Sequence, residues 1–573
     1  MRTFIALIMG LLLVPELPAQ VCPQGPPVNP FLADSPWPIY HRNNYAQAST
    51  CYPGPVNGDN IRIKYKSQIK GGTSPWVYFS DKYPNGERVL LYSNSTHVFK
   101  LIDDGNTLVT VDSLRIDFDA FTSFGWNFLL AKDKIWFTYD PKYDPEQNQF
   151  TRLIKLGDVD PQDSRSEIRK VGEVSFGDFG INKVQHFSMN YRGQIVFNSD
   201  NDVDKLRGTV GVISQDLQLL DTLQFITTGD EITNHNAFPI DENNSFYITT
   251  NKRLIKFDWD GTELSIDWEA PYDFVNDGPV GTFAEGSGTT PTLIGWGAGN
   301  DKLVVMSDGH AKNNLVAFWR ELPVGWTGVP GMDIHFADSI QLPAARTFSQ
   351  QFQSIENSPT AYGYDIAIAQ FNGFLGYDCD NLKGVQKIRW DTQKHEFNIQ
   401  WVNDDINMNG VLTYSQGTNM VYGSGKEEDC NYYYYGLDWE TGELAFRQLL
   451  GPEGSLLNDP FYDGGNNNII DEEGNIYFAG GASLVKLEVD QSTTSNLPSL
   501  DEDFSLYPNP VSDLLYFPND EFTKLQLFDI QGRVCELRPV GSGRYDISYL
   551  KPGIYLLRVE TQRGLAIHKV MKD

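Results

Sequence analysis

The sequence predicts a nearly all-β chain, a seven- or eight-bladed propeller followed by a small β-sandwich. Three observations predict it. Short apolar strands separated by turn residues recur from Trp76 to Asp490. No long apolar stripe of helical period interrupts them. A chain of 573 residues also exceeds what one ordinary core organises, and a ring of small units that bury their faces on one another resolves the difficulty. An aromatic content of 13% with 51 glycines and 31 prolines points the same way.

The first element, residues 1–19, reads as a signal peptide. Arg2 precedes an apolar run from Phe4 to Val14 that is too short to anchor in a bilayer, and Leu17-Pro18-Ala19 supplies a small residue before Gln20. Cleavage is expected after Ala19. Cys22 follows, but Ala19-Gln20-Val21 matches a lipoprotein box poorly, and no later stretch reaches the ~18 apolar residues of a membrane helix, so no transmembrane anchor is expected. Residues 20–75 lead into the propeller. They contain Ser35-Pro36-Trp37-Pro38-Ile39-Tyr40-His41-Arg42-Asn43-Asn44-Tyr45-Ala46-Gln47, which resembles the entry segment of quinoprotein-type propellers. A tryptophan packed in a loop with its N–H bonded locally explains the same residues equally well.

Residues 76–490 form the propeller. Arg88–Tyr92, His97–Ile102 and Leu108–Val111 read as strands around an Asp104-Gly105 hairpin turn; Lys134–Phe137 and Gly193–Phe197 begin similar units. Asp241 to Trp268 reads as strand, turn, strand, tight turn, strand, and Asp471-Glu472-Glu473-Gly474-Asn475-Ile476 repeats its opening. Asp258-Trp259-Asp260-Gly261, Arg389-Trp390-Asp391-Thr392 and Asp438-Trp439-Glu440-Thr441-Gly442 each set an acidic–aromatic pair before a turn, resembling PQQ-type propeller repeats. Eight candidate units of about 52 residues fit the span, and seven with one long insertion fit almost as well. Residues 491–503 are a polar linker.

Net charge is −30, from 45 basic and 75 acidic side chains. Phe504 to Asp573 carries nine Lys/Arg and eight Asp/Glu, so the acidity belongs to the body. Such a field repels phosphate backbones and excludes a nucleic-acid partner. Solubility is the simpler reading of it. Five cysteines are present. Export permits disulfides, and proximity pairs Cys22 with Cys51 and Cys379 with Cys430, although four cysteines allow three connectivities. Their spacing does not match a zinc site.

Chemistry is sought in polar residues beside strand starts, where propeller loops converge on the channel. Asn234-His235-Asn236, Glu285 to Pro291, Ser307-Asp308-Gly309-His310 and Glu356-Asn357 qualify. The candidate catalytic residues are therefore His235, Asp308, His310 and Glu356, side-chain types that hold a divalent metal or divide acid and base roles. The glycines of Glu285–Pro291 lack phosphate-loop spacing and read as tight backbone turns. Asp200-Asn201-Asp202-Val203-Asp204 opens like an EF-hand loop but lacks the glycine at six and the glutamate at twelve; a solvated acidic loop is the better reading, with calcium left open.

Residues 504–573 hold Leu506-Tyr507-Pro508-Asn509-Pro510, Phe528-Asp529-Ile530-Gln531-Gly532-Arg533, Tyr549-Leu550-Lys551-Pro552-Gly553-Ile554-Tyr555, and finally His568-Lys569-Val570. In that order they resemble the type A C-terminal sorting domain of the type IX secretion system. The resemblance assigns the sorting motif to Tyr507, Pro508, Asn509, Pro510, Gly532, Gly553, Tyr555 and Lys569, and implies an immunoglobulin-like β-sandwich, engagement of the secretion machinery, and delivery to the surface or medium of a Gram-negative bacterium. Quinoprotein dehydrogenases hold their cofactor against a disulfide of adjacent cysteines, which this chain lacks, so the propeller resemblance does not extend to PQQ. The leading expectation is a binding propeller for a glycan, peptide or surface component. The alternative is a secreted enzyme, a hydrolase, lyase or quinone-dependent oxidoreductase.

Overall fold

The computed structural model describes residues 25–68, 77–93, 97–116, 128–142, 150–181, 184–200, 207–227, 229–230, 237–274, 286–310, 313–343, 357–369, 383–452, 468–480, 483–489, 511–516, 522–529, 534–541, 544–561 and 564–572. The signal segment 1–19 and the linker 491–503 lie outside them.

Among these residues the body is a succession of eight antiparallel sheets in chain order. Sheet 1 comprises Val77–Phe79, Leu90–Ser93, His97–Asp103 and Leu108–Arg115; sheet 2, Phe128–Ala131, Ile135–Lys142, Phe150–Asp158 and Ile168–Ser175; sheet 3, His186–Met189, Ile195–Asp200, Arg207–Ile213 and Leu219–Ile226. Sheet 4 has Phe246–Thr249, Arg253–Trp259 and Leu264–Pro271, with Ile240 bridging Phe246 where a first strand belongs. Sheet 5 comprises Thr292–Ile294, Leu303–Ser307, Asn314–Trp319 and Phe336–Gln341; sheet 6, Thr360–Tyr362, Asp365–Ala369, Val385–Asp391 and Glu396–Asn403. Sheet 7 comprises Asn409–Ser415, Met420–Lys426, Asn431–Asp438 and Leu444–Pro452. Sheet 8 takes Ile469–Ile470, Ile476–Gly480 and Ser483–Val489 from the end of the body and its outer strand, Ile61–Gln68, from the beginning.

The apolar residues show how the sheets stand to one another. Separate cores lie between sheets 2 and 3, 3 and 4, 4 and 5, 5 and 6, 6 and 7, and 7 and 8. A further core joins sheets 1 and 2 to Ile469, Tyr477 and Leu484 of sheet 8. Each sheet thus buries both faces against its neighbours, and the last lies on the first. This is a propeller arrangement, in which no unit has a core of its own.

Two local devices repeat around it. Opposite one position of the third strand, every outer strand carries a bulge, at Lys100/Leu101, Lys170/Gly172, Val212/Ile213, Lys256/Phe257, Ala317/Phe318, Lys387/Ile388, Gly436/Leu437 and Ile63/Tyr65. In five sheets that position is a lysine that reaches the third-to-fourth turn of the next sheet. Lys100 Nζ donates to Asp158 at 2.5 Å, Lys155 to the Gln215 carbonyl at 2.8 Å, Lys256 to that of Arg320 at 3.5 Å and Lys387 to that of Trp439 at 2.8 Å. Lys486 closes the series on Asp103 of sheet 1. The acidic–aromatic turns clasp backwards: Trp259 Nε1 donates to Gln194 of sheet 3 and Trp390 Nε1 to Asp301 of sheet 5.

The tail folds on its own core. Leu514–Tyr516, Arg544–Asp546 and Arg538–Gly541 form one sheet, and Val534–Cys535, Phe522–Asp529, Gly553–Thr561 and Gly564–Lys572 another. Both supply the buried cluster of Val511, Leu515, Leu527, Ile547, Tyr555, Leu557 and Val570.

Candidate functional site

First strands border the central channel, and their inner edges would leave backbone groups unpaired. The N-terminal segment pairs them. Running from Asn29 to Thr50, it accepts N–H bonds from Phe79 on Trp37, Leu130 on Pro38, Ile240 on Asn44, Leu293 on Tyr45, Ala361 on Gln47 and Tyr414 on Ala48, all at 2.8–3.1 Å. Asn29 and Asn44 donate side-chain bonds to the Met189 carbonyl, and Ser49–Thr50 pairs parallel to Tyr414 and Ser415. From Trp37 onward the strap thereby visits sheets 1 to 7 in chain order. Its curvature requires φ of 53° at His41, 73° at Arg42, 55° at Ala46 and 50° at Ala48, a left-handed conformation that costs non-glycine residues about 1–3 kcal/mol each.

Several of these bonds fall near the ends of first strands that turn into the second. Toward the strand starts lies a polar group. The Tyr40 ring sits 3.8 Å from that of His41 and 6.1 Å from that of His186. Tyr40 hydrogen-bonds to Thr290, whose own N–H donates to Ser358 Oγ at 2.9 Å. Burial pushes His41 down to about 3, with His186 adding to the effect, and burial pushes His186 down to about 3, so both imidazoles are neutral at physiological pH. Tyr45 is fixed differently: its hydroxyl bonds Glu242, and Arg320 lies 3.6 Å from Asp241 and 3.9 Å from Glu242.

Of the residues expected to carry chemistry, His235, Glu285 and Glu356 lie outside the described residues, as do Asn234 and Asn236. Asp308 is buried and raised by that burial; it accepts the Asn314 N–H at 2.9 Å, Asn314 Nδ2 at 2.6 Å and the main-chain N–H of His310 at 3.2 Å. It joins His310 through the backbone and organises the loop. Gly286 and Gly309 bring two backbones together, a Cβ on Gly309 falling 2.8 Å from the Gly286 carbonyl carbon, which is the tight turning expected of the glycine-rich stretch. Asp200 ends a strand, and residues 201–204 lie outside the described residues. No group of three His, Cys, Asp or Glu side chains able to hold a metal occurs among the described residues.

Cys51 and Cys430 are each disulfide-bonded, whereas Cys535 is a free thiol. Their expected partners, Cys22 and Cys379, lie outside the described residues. So do Tyr507, Pro508, Asn509, Pro510 and Gly532. Gly553 opens a strand, Tyr555 lies in the tail core with its hydroxyl on the Lys551 carbonyl, and Lys569 pairs with Leu556. Trp37 is fully buried, but its indole N–H finds no acceptor among the described residues, so the local bond expected of a tryptophan packed in a loop is not made there. His186 and the repeated lysines were not singled out by sequence, although Lys100, Lys155, Lys256 and Lys486 each stand between two apolar residues.

The chain is 26% identical over 454 residues to an uncharacterized protein of Archaeoglobus fulgidus, covering 74% of this chain and 83% of that one. Among solved structures it is similar to a europium-containing methanol dehydrogenase, at 10% identity and a TM-score of 0.48 over 79% of this chain and 90% of the other. It is likewise similar to a quinohemoprotein alcohol dehydrogenase of Pseudomonas putida, at 11% identity and 0.48 over 84% and 83%. No helix among the described residues is long and apolar enough to cross a membrane. Residues 505–573 match the family described as the secretion system C-terminal sorting domain, so the propeller ends in a type IX sorting domain that addresses it to the secretion machinery.

Proposed function

We propose that the chain is an eight-bladed propeller exported to the outer surface or medium of a Gram-negative bacterium, where it binds a glycan, peptide or surface component. The proposed boundaries are a signal peptide at 1–19, an N-terminal segment leading into the propeller at 20–75, the propeller at 76–490, a linker at 491–503, and an immunoglobulin-like sorting sandwich at 504–573. Cys22–Cys51 and Cys379–Cys430 are the proposed disulfides. The observation that supports binding is the strap. It commits the inner edges of seven sheets to structural bonds and turns the far end of the channel, with its neutral polar lining, into the surface on offer. In a type IX-competent host, the full chain should reach the surface or medium and a chain ending at residue 503 should stay in the periplasm; equal export of both would sink the sorting half of the reading.

A second reading keeps His235, Asp308, His310 and Glu356 as catalytic residues, favoured by the raised carboxyl of Asp308 two residues before a histidine. The two readings part on one measurement. Secreted protein incubated with host-surface polysaccharide and peptide should bind saturably and release no product by mass spectrometry; product lost in Asp308→Asn would establish the enzyme instead.

A further inference from the structure

The two sheets of the tail differ in what they show to solvent. In the four-stranded sheet Leu527, Tyr555, Leu557 and Val570 point into the tail core, so alternation sends the residues beside them outward. Phe528 stands opposite both Val534 and Leu556, and Ile554 opposite Met571. Five apolar side chains from four strands therefore share the outer face in two adjacent rows. Val534 keeps 65% of its surface, Ile554 44%, Leu556 41% and Met571 37%, and Phe528 is half-buried. The next outward row, Gln526 opposite Arg558, is polar.

The three-stranded sheet is built the other way. Leu514 stands opposite Asp546 and Asp546 opposite Arg538, while Tyr516 stands opposite Arg544. The two guanidiniums lie over aromatic rings, Arg538 over Tyr549 at 4.2 Å and Arg544 over Tyr516 at 5.8 Å, and Arg538 also pairs with Glu536 at 3.0 Å. Leu514 is thus a single exposed apolar side chain among charges. Single exposures of that kind are ordinary, whereas a contiguous apolar patch with a polar margin marks an interaction surface.

Two further facts say what covers it. The whole chain carries a net charge of −30, so two copies repel each other and self-association through this face is opposed. Residues 505–573 match the secretion system C-terminal sorting domain, so the tail is the part of the chain that a secretion machinery reads. We propose that the machinery docks on the folded tail through the outer face of the four-stranded sheet, seating Val534, Phe528, Ile554, Leu556 and Met571 against an apolar surface of its own. Burial of the patch supplies the affinity, and Leu556, beside Phe528 in its own row and two residues from Ile554, is the expected centre. This names the surface used in the proposed sorting and rests on that reading.

The test uses the full chain in a type IX-competent host and reads the share that reaches the surface or medium. Ile554→Ser with Leu556→Ser should lower that share about tenfold. Leu514→Ser with Val540→Ser, at least as exposed and on the other sheet, should leave it within about twofold. Surface substitutions should leave the tail of the periplasmic chain as resistant to trypsin as that of the natural chain. Should the first pair open the tail to trypsin, Val534→Lys decides alone, because Val534 lies exposed on an edge strand and fills no part of the core. Export undisturbed by a trypsin-resistant face variant overturns the docking face, and so does an equal loss from both sheets. In either case retention of a chain ending at residue 503 leaves the sorting reading standing. A periplasmic full chain that is dimeric, turns monomeric with Leu556→Ser and is exported as before assigns the face to a second copy and overturns the proposal as well.

Discussion

Asn190, Asp241 and Asp471 hold the same place in the turn from a first strand to a second, and each folds that turn with one side-chain oxygen. Asn190 Oδ1 accepts from the N–H groups of Arg192 and Gln194, Asp241 Oδ1 from Asn243 and Ser245, and Asp471 Oδ1 from Glu473 and Asn475. Asparagine therefore suffices for the turn, but aspartate adds a titration. Burial, with Glu473 nearby, pushes Asp471 up to about 7 although Asn475 hydrogen bonds oppose it. Below about pH 4 both folded and unfolded chains are protonated there and nothing is lost. Between 4 and 7 the unfolded chain alone releases the proton, so stability falls as pH rises, by an amount on the order of 4 kcal/mol that persists above 7. Asp471→Asn should flatten this slope and raise the melting temperature at pH 8, at the loss of the Asn475 Nδ2 bond to Oδ2. Scanning calorimetry at pH 5 and 8 checks it; an unchanged slope in the variant would assign the pH dependence elsewhere.

At the scale of the strand, the lysine clasps differ in what they hold. Lys100 and Asp158 have no exposed side-chain surface, and Tyr83 adds its hydroxyl to the same carboxylate at 2.5 Å. Lys100→Met leaves that carboxylate buried with its cation gone, at an expected cost of about 3–5 kcal/mol. Lys155→Met strands only the Gln215 carbonyl and should cost about 1 kcal/mol. Urea denaturation of both variants, with Asp158→Asn to complete a double-mutant cycle, separates the cases; equal small losses would mean the clasp is ornamental. Most strands were legible beforehand, Arg88–Tyr92, His97–Ile102 and Asp241 to Trp268 among them, because alternation and turn residues are local. The clasps were not. A lysine inside an apolar strand reads as an exposed position until the opposing bulge and the neighbouring turn are known. The strap was half legible: Trp37 to Gln47 stood out as a motif, but the groups it bonds lie up to 366 residues away, from Phe79 to Tyr414, and only the ring brings them to it.

For the whole molecule, the N-terminal residues close the structure twice, once as the strap and once as the outer strand of the last sheet. The two closures can be separated, because residues 61–68 supply the strand and residues 29–50 the strap. Sheets with no cores of their own should unfold together, so the secreted chain is expected to lose residues 29–489 in one cooperative transition. A chain beginning at residue 61 keeps the strand and loses the strap. Its six inner-edge amides, those of Phe79, Leu130, Ile240, Leu293, Ala361 and Tyr414, are then left facing the channel without acceptors. Each bond is worth only about 1 kcal/mol net, but with the asparagine bonds to the Met189 carbonyl they span seven of the eight sheets, so their loss falls on the contacts between units more than on any one of them. Native-state hydrogen exchange should show these amides among the slowest in the intact chain and exchanging several orders of magnitude faster in the shortened one, while amides in the middle of third strands change least. Protection that survives removal of residues 25–60 would mean that the ring closes through its sheets alone and that the strap is a passenger.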